Sequence, residues 1–490
     1  MPNMSPEISI VKNYIDYMLS LPWNKKTTDI DDFNSIKENL DKTHFNLKKV
    51  KTRIIEYLAV KKNSGSINSP IICLVGPPGV GKTTLAYSIA KSMGRNFTKI
   101  SLGGVDDEAI IKGHTRAYIG ATPGKIIDGI RRAKSSNPVF LIDEIDKMSN
   151  KYKGDPESAL LEVLDYNQNK YFKDNYIEEE YDLSNVIFIT TANNIDNIRP
   201  ELKDRLEIIN IDGYTELEKL SIAKEYLIPK ICSSHGIKNI KIADEQIFDI
   251  IRYYTKESGV RELERLISKI VRKIITNKIV NKKRIVLSID SVENYLGKRI
   301  YEKEETVNEI GMVNSLVYTD FGGDITSVET THYKGSGNIV LTGSLGDIVL
   351  ESAKIAISYI KANHKLFNID YKLFNDDIHI NIPNIAIKKE GPSAGVSITT
   401  SLISSLSNLK ISSNVAFTGE ITLRGNILKV GGIKEKVIGA YMNNIDTVFI
   451  PYSNLNDLEE IPKEIIDKIE FIPIKNYKEV YEYLKGDLYV

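Results

Sequence analysis

The sequence predicts a multidomain α/β protein in three consecutive blocks: a mainly parallel sheet with helices on both faces, a small all-α unit, and a C-terminal α+β unit. Three observations predict it. Between 71 and 212, short apolar runs alternate with helix-period patterns, the rhythm of strand–helix–strand units. From 213 to 298 only helical periodicity is left. Beyond about 305 the composition turns to Gly, Ser, Thr and β-branched residues, with strand-like and helical runs intermixed. At 490 residues the chain has ample core for roughly two to four domains.

The first 63 residues read as helical. Ile8, Val11, Ile15, Met18 and Leu19 recur at helical spacing until Pro22 stops the run, and Leu47 to Val60 keeps Ile54, Ile55, Leu58 and Ala59 on one face. Strands are expected at 71–75, 97–101, 138–142, 186–191 and 207–211, and helices of the small unit at 215–230, 243–257, 260–280 and 290–296. Gly297 to Glu305 reads as a charged linker. The last unit is expected to hold strands at 313–319, 325–331, 338–342, 377–382, 415–419 and 447–450, with helices at 346–363, 394–406, 433–443 and 476–485.

Lys plus Arg and Asp plus Glu both number 65. No global charge steers the chain to nucleic acid or to a membrane surface, so DNA is a partner left open but not indicated. Cys73 and Cys232 lack metal-type or Cys-x-x-Cys spacing and fit buried roles in a reducing compartment. No run is long enough to span a membrane, and Met1-Pro-Asn-Met-Ser-Pro6 has the form of neither a secretion signal nor a transit peptide. A cytoplasmic protein without a membrane partner is expected.

The chemistry starts at Gly76-Pro77-Pro78-Gly79-Val80-Gly81-Lys82-Thr83. An apolar strand precedes it and a helical run follows, the context a phosphate-binding loop requires. The glycines let backbone amides curl around phosphates. The helix N-terminus and Lys82 add positive charge, and the Thr83 hydroxyl suits Mg²⁺. The alternative is a Gly-rich turn before an ordinary helix. Val139-Phe-Leu-Ile-Asp-Glu144 is a strand ending in two acids: Asp143 suits Mg²⁺ coordination, and Glu144 suits orienting or deprotonating a water. Ile187 to Asn193 is a further strand tipped by a residue that could touch a γ-phosphate or the water. Asn193 as a simple cap is the competing reading. Arg205, in Leu202-Lys-Asp-Arg205, and Arg261, in Gly259-Val-Arg261, complete the set, with solvated arginines as the ordinary alternative.

In this order these motifs resemble the AAA+ ATPase module. The resemblance implies ATP with Mg²⁺ at subunit interfaces of a homo-oligomer, of hexameric type in the family's manner, with Arg205 acting in trans and Arg261 in cis. Lys112-Gly-His-Thr-Arg-Ala-Tyr-Ile-Gly-Ala121 matches the region that carries a central-pore loop, which would let Tyr118 and Ile119 grip an extended polypeptide. A Tyr packed under a Gly-rich surface loop is the alternative.

In the last unit, Lys388-Lys-Glu-Gly-Pro-Ser-Ala-Gly395 sets Ser393 between a rigid Gly-Pro and a small Ala-Gly, ahead of a helical run. That can expose a hydroxyl at a helix start with amides nearby for an oxyanion. It is also what a serine N-cap looks like. A nucleophilic serine needs a base. His379 with Asp376 or Asp377 would make a triad. The competitor is Gly431-Gly-Ile-Lys-Glu-Lys436, where burial and a helix N-terminus can depress a lysine pKa. Lys434 and Lys436 lie two apart on that helix, so one of them should face the site.

This region resembles the Lon family of ATP-dependent proteases. Leu341 to Asp347, Glu390 to Gly395, Thr418-Gly-Glu-Ile-Thr-Leu-Arg-Gly425 and Gly431 to Lys436 all match, as do Leu21-Pro-Trp-Asn24 and the loop from Gly113 to Gly124. The resemblance covers nearly the whole chain. It implies a Ser-Lys dyad of Ser393 and Lys436 with a supporting contact from Thr418, and protein substrates that are unfolded or misfolded. Three positions depart from the family: Glu390 stands where Asp is more common, Asn381 where a histidine is, and Lys429 where a proline is. Only 75 residues precede Gly76, where common members carry a long substrate-binding domain. The expected layout is a helical neck at 1–63, an AAA+ α/β domain at 64–212, a small helical domain at 213–298, a linker at 299–308 and a Lon-type protease domain at 309–490. The rival reading is an ATP-driven protein or DNA remodeller whose Lon-like domain is proteolytically inactive.

Overall fold

The structure, a computed structural model, describes residues 6–30, 32–64, 71–116, 118, 120–148, 155–237, 240–280, 291–301, 308–319, 322–383 and 391–486. The chain divides into two units, Met1–Ile300 and Tyr301–Val490.

In the first unit, helices α1 (Pro6–Ser20), α2 (Phe33–Thr43) and α3 (Lys48–Ser64) precede β1 (Ile71–Val75), α4 (Lys82–Ser92), β2 (Phe97–Ser101), the short α5 (Ala109–Lys112), α6 (Lys125–Ala133) and β3 (Val139–Asp143). There follow α7 (Pro156–Leu164), a hairpin of β4 (Phe172–Lys173) and β5 (Glu180–Tyr181), β6 (Ile187–Ala192), α8 (Pro200–Lys203) and β7 (Leu206–Asn210). The five longer strands form one parallel sheet in the order β2-β3-β6-β1-β7. Every residue of β1 and β6 is buried, as strands covered on both faces must be. One face carries Ile126, Ile130, Phe140 and Leu160, and the other Leu85, Ile89, Leu141 and the α2–α3 residues Leu40 and Ile54. The predicted strands appear within a residue of their expected ends. The β4–β5 hairpin was not foreseen, because two-residue strands leave no readable alternation.

Helix α1 is present, but only part of its regular apolar stripe packs. Val11, Ile15 and Leu19 are 46%, 48% and 78% exposed, while Tyr14, Tyr17 and Met18 rest on the core. Tertiary contact chose the aromatic side.

The helical end of this unit comprises α9 (Glu216–Ile222), α10 (Ile228–Ser234), α11 (Asp244–Tyr254), α12 (Arg261–Ile279) and α13 (Val292–Leu296). A capping box opens α9: Glu218 N donates to Thr215 Oγ1, and Thr215 N to Glu218 Oε2. The single helix expected at 215–230 runs through a π-helical turn at Ala223–Leu227 before α10. Pro229, which has no N–H to give, is the second residue of α10, next to Ile228, whose amide closes the π turn on Ala223 O.

The second unit runs β8 (Met312–Thr319), β9 (Gly322–Tyr333), β10 (Ile339–Thr342), α14 (Asp347–Ala362), β11 (Asp377–Asn381), α15 (Gly395–Ser407), β12 (Val415–Phe417), β13 (Glu420–Ile421), β14 (Ile427–Leu428), α16 (Ile433–Met442), β15 (Thr447–Pro451), α17 (Lys463–Ile466), β16 (Glu470–Ile474) and α18 (Tyr477–Gly486). Seven strands make a mixed sheet in the order β10-β11-β9-β8-β12-β15-β16. Its β8–β9 and β9–β11 pairs are antiparallel, and the others parallel. Helices α14, α15 and α18 cover one face and α16 the other. Helix α15 is buried on every side although it is rich in Ser and Thr. Its hydroxyls return to backbone: Thr399 to Gly395 O, Thr400 to Val396 O and Ser401 to Gly311 O. The strand expected over 415–419 ends at Phe417; the Thr418 amide still donates to Phe449 O at 3.1 Å, while the Thr418 hydroxyl and Gly419 belong to the site described next. Strand β16 and the β13–β14 hairpin were not foreseen.

Candidate functional site

In the first unit the phosphate-loop motif forms a tight turn between β1 and α4. Gly79 and Gly81 hold φ of +83° and +92°, a left-handed backbone that favours glycine. A Cβ on Gly76 would run into Ile211 O. Pro77, Pro78 and Val80 fill the turn, and Thr83, half-buried, is the second residue of α4. The buried Lys82 ammonium donates to Asn193 Oδ1 at 2.8 Å and to Pro77 O at 3.2 Å, with Gly76 O a third acceptor. Burial pushes its pKa below the ordinary lysine value. An anion seated in the loop would offset that cost.

Asp143 and Glu144 emerge at the end of β3. Burial works to raise the Asp143 carboxyl, but hydrogen bonds from Lys99, at 2.5 Å, and from the Thr191 hydroxyl outweigh it and hold the group below its ordinary range. Asp143 is thus an ionised oxygen donor beside Lys82, a set that suits a hard cation on phosphate. Glu144 sits in left-handed backbone at φ +60°, with its amide on Thr191 Oγ1 and its carboxylate taking Lys147 Nζ at 2.5 Å. A non-glycine residue in that conformation stores backbone strain.

Asp146 was not foreseen from the sequence. Its buried carboxylate accepts the amides of Asn193 at 3.0 Å and Asn194 at 3.1 Å, and so fixes the loop that aims Asn193 at Lys82. The third acid in Asp143-Glu-Ile-Asp146 was the available signal. Arg205 ion-pairs with Asp165 at 2.5 Å within its own chain. Arg261 opens α12 directly against the loop: Val260 N donates to Gly79 O at 3.2 Å, and a Cβ on Gly259 would run into the Gly79 backbone. Tyr214 adds a hydroxyl bond to Val80 O at 2.8 Å. Tyr118 is 70% exposed, whereas Ile119 lies outside the described residues.

The second unit assembles a different kind of site. Gly391, at φ +111°, turns the chain into a 3-10 turn over Pro392–Ala394 that carries Ser393 into α15. Gly419 N donates to Ser393 O at 2.9 Å, and Val396 N donates to Gly419 O at 3.1 Å. The residue before Gly419 is Thr418, fully buried, and its Oγ1 accepts from Lys436 Nζ at 3.2 Å. Two adjacent residues past β12 thus tie the serine turn on one side to the lysine amine on the other. Lys436 is 3% exposed, on the first turn of α16 behind the left-handed Gly432. Desolvation lowers its pKa to about 8, against a small opposing effect of Glu435. Lys434 is half-buried. Lys429 ion-pairs with Asp457 at 3.1 Å, and the buried Asn454 clamps Val430 through both its backbone groups, which fixes the approach to α16. Glu390 lies outside the described residues.

The triad alternative finds no such arrangement. His379 Nε2 pairs with Thr342 Oγ1 at 3.0 Å, and Asp377 accepts the amides of Ser336 and Asn338. Strands β9 and β8 lie between β11 and β12. Three strand spacings put the His379 strand roughly 14 Å from β12, which ends one residue before Thr418. Among the described residues no cluster of His, Cys, Asp and Glu could hold a metal on its own, and no helix is long and apolar enough to cross a membrane.

Comparison with known proteins agrees with this division. Residues 72–213 match the family "ATPase family associated with various cellular activities (AAA)", residues 233–286 the "Lon protease AAA+ ATPase lid domain", and residues 286–485 the "Lon protease (S16) C-terminal proteolytic domain". The chain is 50% identical over 485 residues to Lon protease of Mycoplasma mycoides subsp. mycoides SC, covering 98% of this chain and 61% of that protein. It is 49% identical over 488 residues to Lon protease 1 of Bacillus subtilis (strain 168), covering 98% and 63%. It is 50% identical over 486 residues to Lon protease of Clostridium acetobutylicum, covering 98% and 62%. The chain spans about three-fifths of the length of these relatives. With a parallel-sheet AAA domain, a helical lid and a mixed-sheet proteolytic domain in one chain, this protein belongs to the Lon protease family.

Proposed function

We propose that the chain is an ATP-dependent serine endopeptidase that unfolds, threads and cleaves misfolded or regulatory proteins as a cytoplasmic homo-oligomer, of hexameric form. The observation that carries this is a buried lysine amine on Thr418, one residue from the amide that holds the Ser393 turn, in the same chain as a complete phosphate loop. With its pKa near 8, Lys436 is neutral in a useful fraction of molecules and can take the Ser393 proton as Oγ attacks the peptide carbonyl. Amides of the Ser393–Ala394 turn hold the oxyanion. Lys436 then returns the proton to the leaving amine, and water, deprotonated by the same lysine, hydrolyses the acyl-enzyme.

In the motor, Gly76 to Thr83 bind the triphosphate of ATP. Mg²⁺, held by Thr83 and Asp143, would supply charge neutralisation at the phosphates. Glu144 orients and deprotonates the attacking water, with Asn193 beside it. Arg261 acts within the chain and Arg205 toward a neighbouring copy. Tyr118 and Ile119 grip substrate, and Glu390 supports the serine loop.

The test pairs casein degradation in ATP and Mg²⁺ with cleavage of a short fluorogenic peptide, for the parent chain and Ser393→Ala. Both activities are expected in the parent and neither in the variant. A parent that hydrolyses ATP but cleaves neither substrate would overturn the proposal.

A further inference from the structure

Helix α1 turns its Tyr14 toward the base of the loop that carries Tyr118. The Arg116 guanidinium lies 4.3 Å from the centre of the Tyr14 ring and ion-pairs with Glu178. The Tyr14 hydroxyl donates to Ile177 O at 2.9 Å, and its ring, like that of Tyr17, meets Tyr176 at 6.0 Å. The segment that receives α1 is also the one that closes the loop. The fully buried Asp174 carboxylate accepts the amide of Gly124 at 2.7 Å, of Tyr176 at 2.8 Å and of Ile177 at 3.2 Å. Asn175 bonds Lys112 O through its amide at 2.7 Å and Gly113 O through its side chain at 3.1 Å. Across the loop, His114 N donates to Thr122 O at 3.0 Å. Gly113 holds φ +84°, and a Cβ there would come within 2.8 Å of both Asp174 and Gly124 N.

One knot, Asp174 to Glu178, therefore grips both ends of the loop and one side of α1. Arg116 is the strut between them, two residues from Tyr118. A guanidinium resting on a ring face is held by charge and by contact area, and an apolar side chain of similar size does not replace the ring. We propose that Tyr14 and Arg116 are positioning residues through which helix α1 sets where the Tyr118 loop stands, so that a displacement of α1 is felt by the loop. This rests on the reading of Tyr118 as the substrate grip.

The test uses Tyr14→Phe, Tyr14→Leu, Arg116→Ala and the double variant Tyr14→Leu/Arg116→Ala. It reads ATP-dependent degradation of a stably folded protein with an unstructured tail, cleavage of a short fluorogenic peptide, and melting temperature. Tyr14→Phe is expected to degrade the folded protein within about twofold of the parent. Tyr14→Leu and Arg116→Ala should each slow it about fivefold, with peptide cleavage kept. The double variant should be no slower than the worse single one, because the two residues form one contact. Parent-like degradation by Tyr14→Leu and Arg116→Ala, or losses that multiply in the double variant, would overturn the proposal. Should Tyr14→Leu melt early, Arg116→Ala, a change at a half-exposed side chain, decides alone. Tyr118→Ala separates the two readings. If it degrades as fast as the parent, the grip assignment itself fails. If it is slow while the Tyr14 and Arg116 variants are not, only the positioning role fails.

Discussion

Lys436 Nζ donates to Thr418 Oγ1 at 3.2 Å from a position only 3% exposed to solvent. The contact uses a hydroxyl, which can partner the amine in either protonation state. A carboxylate in its place would lock the ammonium and raise its pKa.

Peptide cleavage should therefore rise with pH and level off above an inflection near 8, the value to which burial lowers Lys436 from 10.5. With the neutral amine as the proposed base, activity should be lost as pH falls through 8. A kcat/KM profile on the short peptide checks this, and an inflection between 6 and 7 would point to a histidine instead. Lys436→Arg should be inactive at every pH, because a guanidinium does not give up its proton.

The same burial has a stability cost. Below pH 8 the folded protein carries a buried ammonium, so Lys436→Met should raise the melting temperature of the proteolytic unit at pH 7, with a gain on the order of 3 kcal/mol at most. The gain should shrink between pH 8 and 10.5, where the unfolded lysine still binds a proton that the folded one has released. Unchanged melting at pH 7 would mean that the amine is better solvated than its burial implies.

Thr418→Val keeps the shape and removes the acceptor. It should lower kcat for peptide by roughly tenfold or more with little change in KM, while Thr418→Ser keeps most activity. His379→Ala should leave kcat near that of the parent. The opposite pattern, with His379→Ala dead and Thr418→Val active, would replace the dyad by a triad.

Glu144→Gln should bind ATP with near-parent affinity and hydrolyse it more than about 100-fold slower. Normal turnover would remove Glu144 from its assigned role.

Gly259 touches the backbone of Gly79, so Gly259→Ala must lift the lid from the phosphate loop. Nucleotide affinity, read with a fluorescent ATP analogue, should fall roughly tenfold. Cleavage of a short peptide without nucleotide gives the control, since Gly259 and Ser393 lie in different units.

The sequence by itself determined what local pattern can encode. Gly76 to Thr83 reads as a phosphate loop because its glycines, lysine and threonine act through the backbone they sit on. The strand at 71–75 was legible because a fully buried strand leaves an unbroken apolar run. What the tertiary structure decided involves residues that meet only after folding. The order of the strands in the sheet set the His379 strand apart from Thr418. The Thr418 amide, held on Phe449 O at the end of β12, set the Thr418 hydroxyl against Lys436. Burial chose Lys436 over Lys434, two positions away on the same helix. In α1 the regular stripe through Val11, Ile15, Met18 and Leu19 was the clearer pattern, yet of these four Met18 alone joins Tyr14 and Tyr17 on the core. Periodicity reports which residues share a face, and the surface that face meets is supplied by segments a hundred or more residues away.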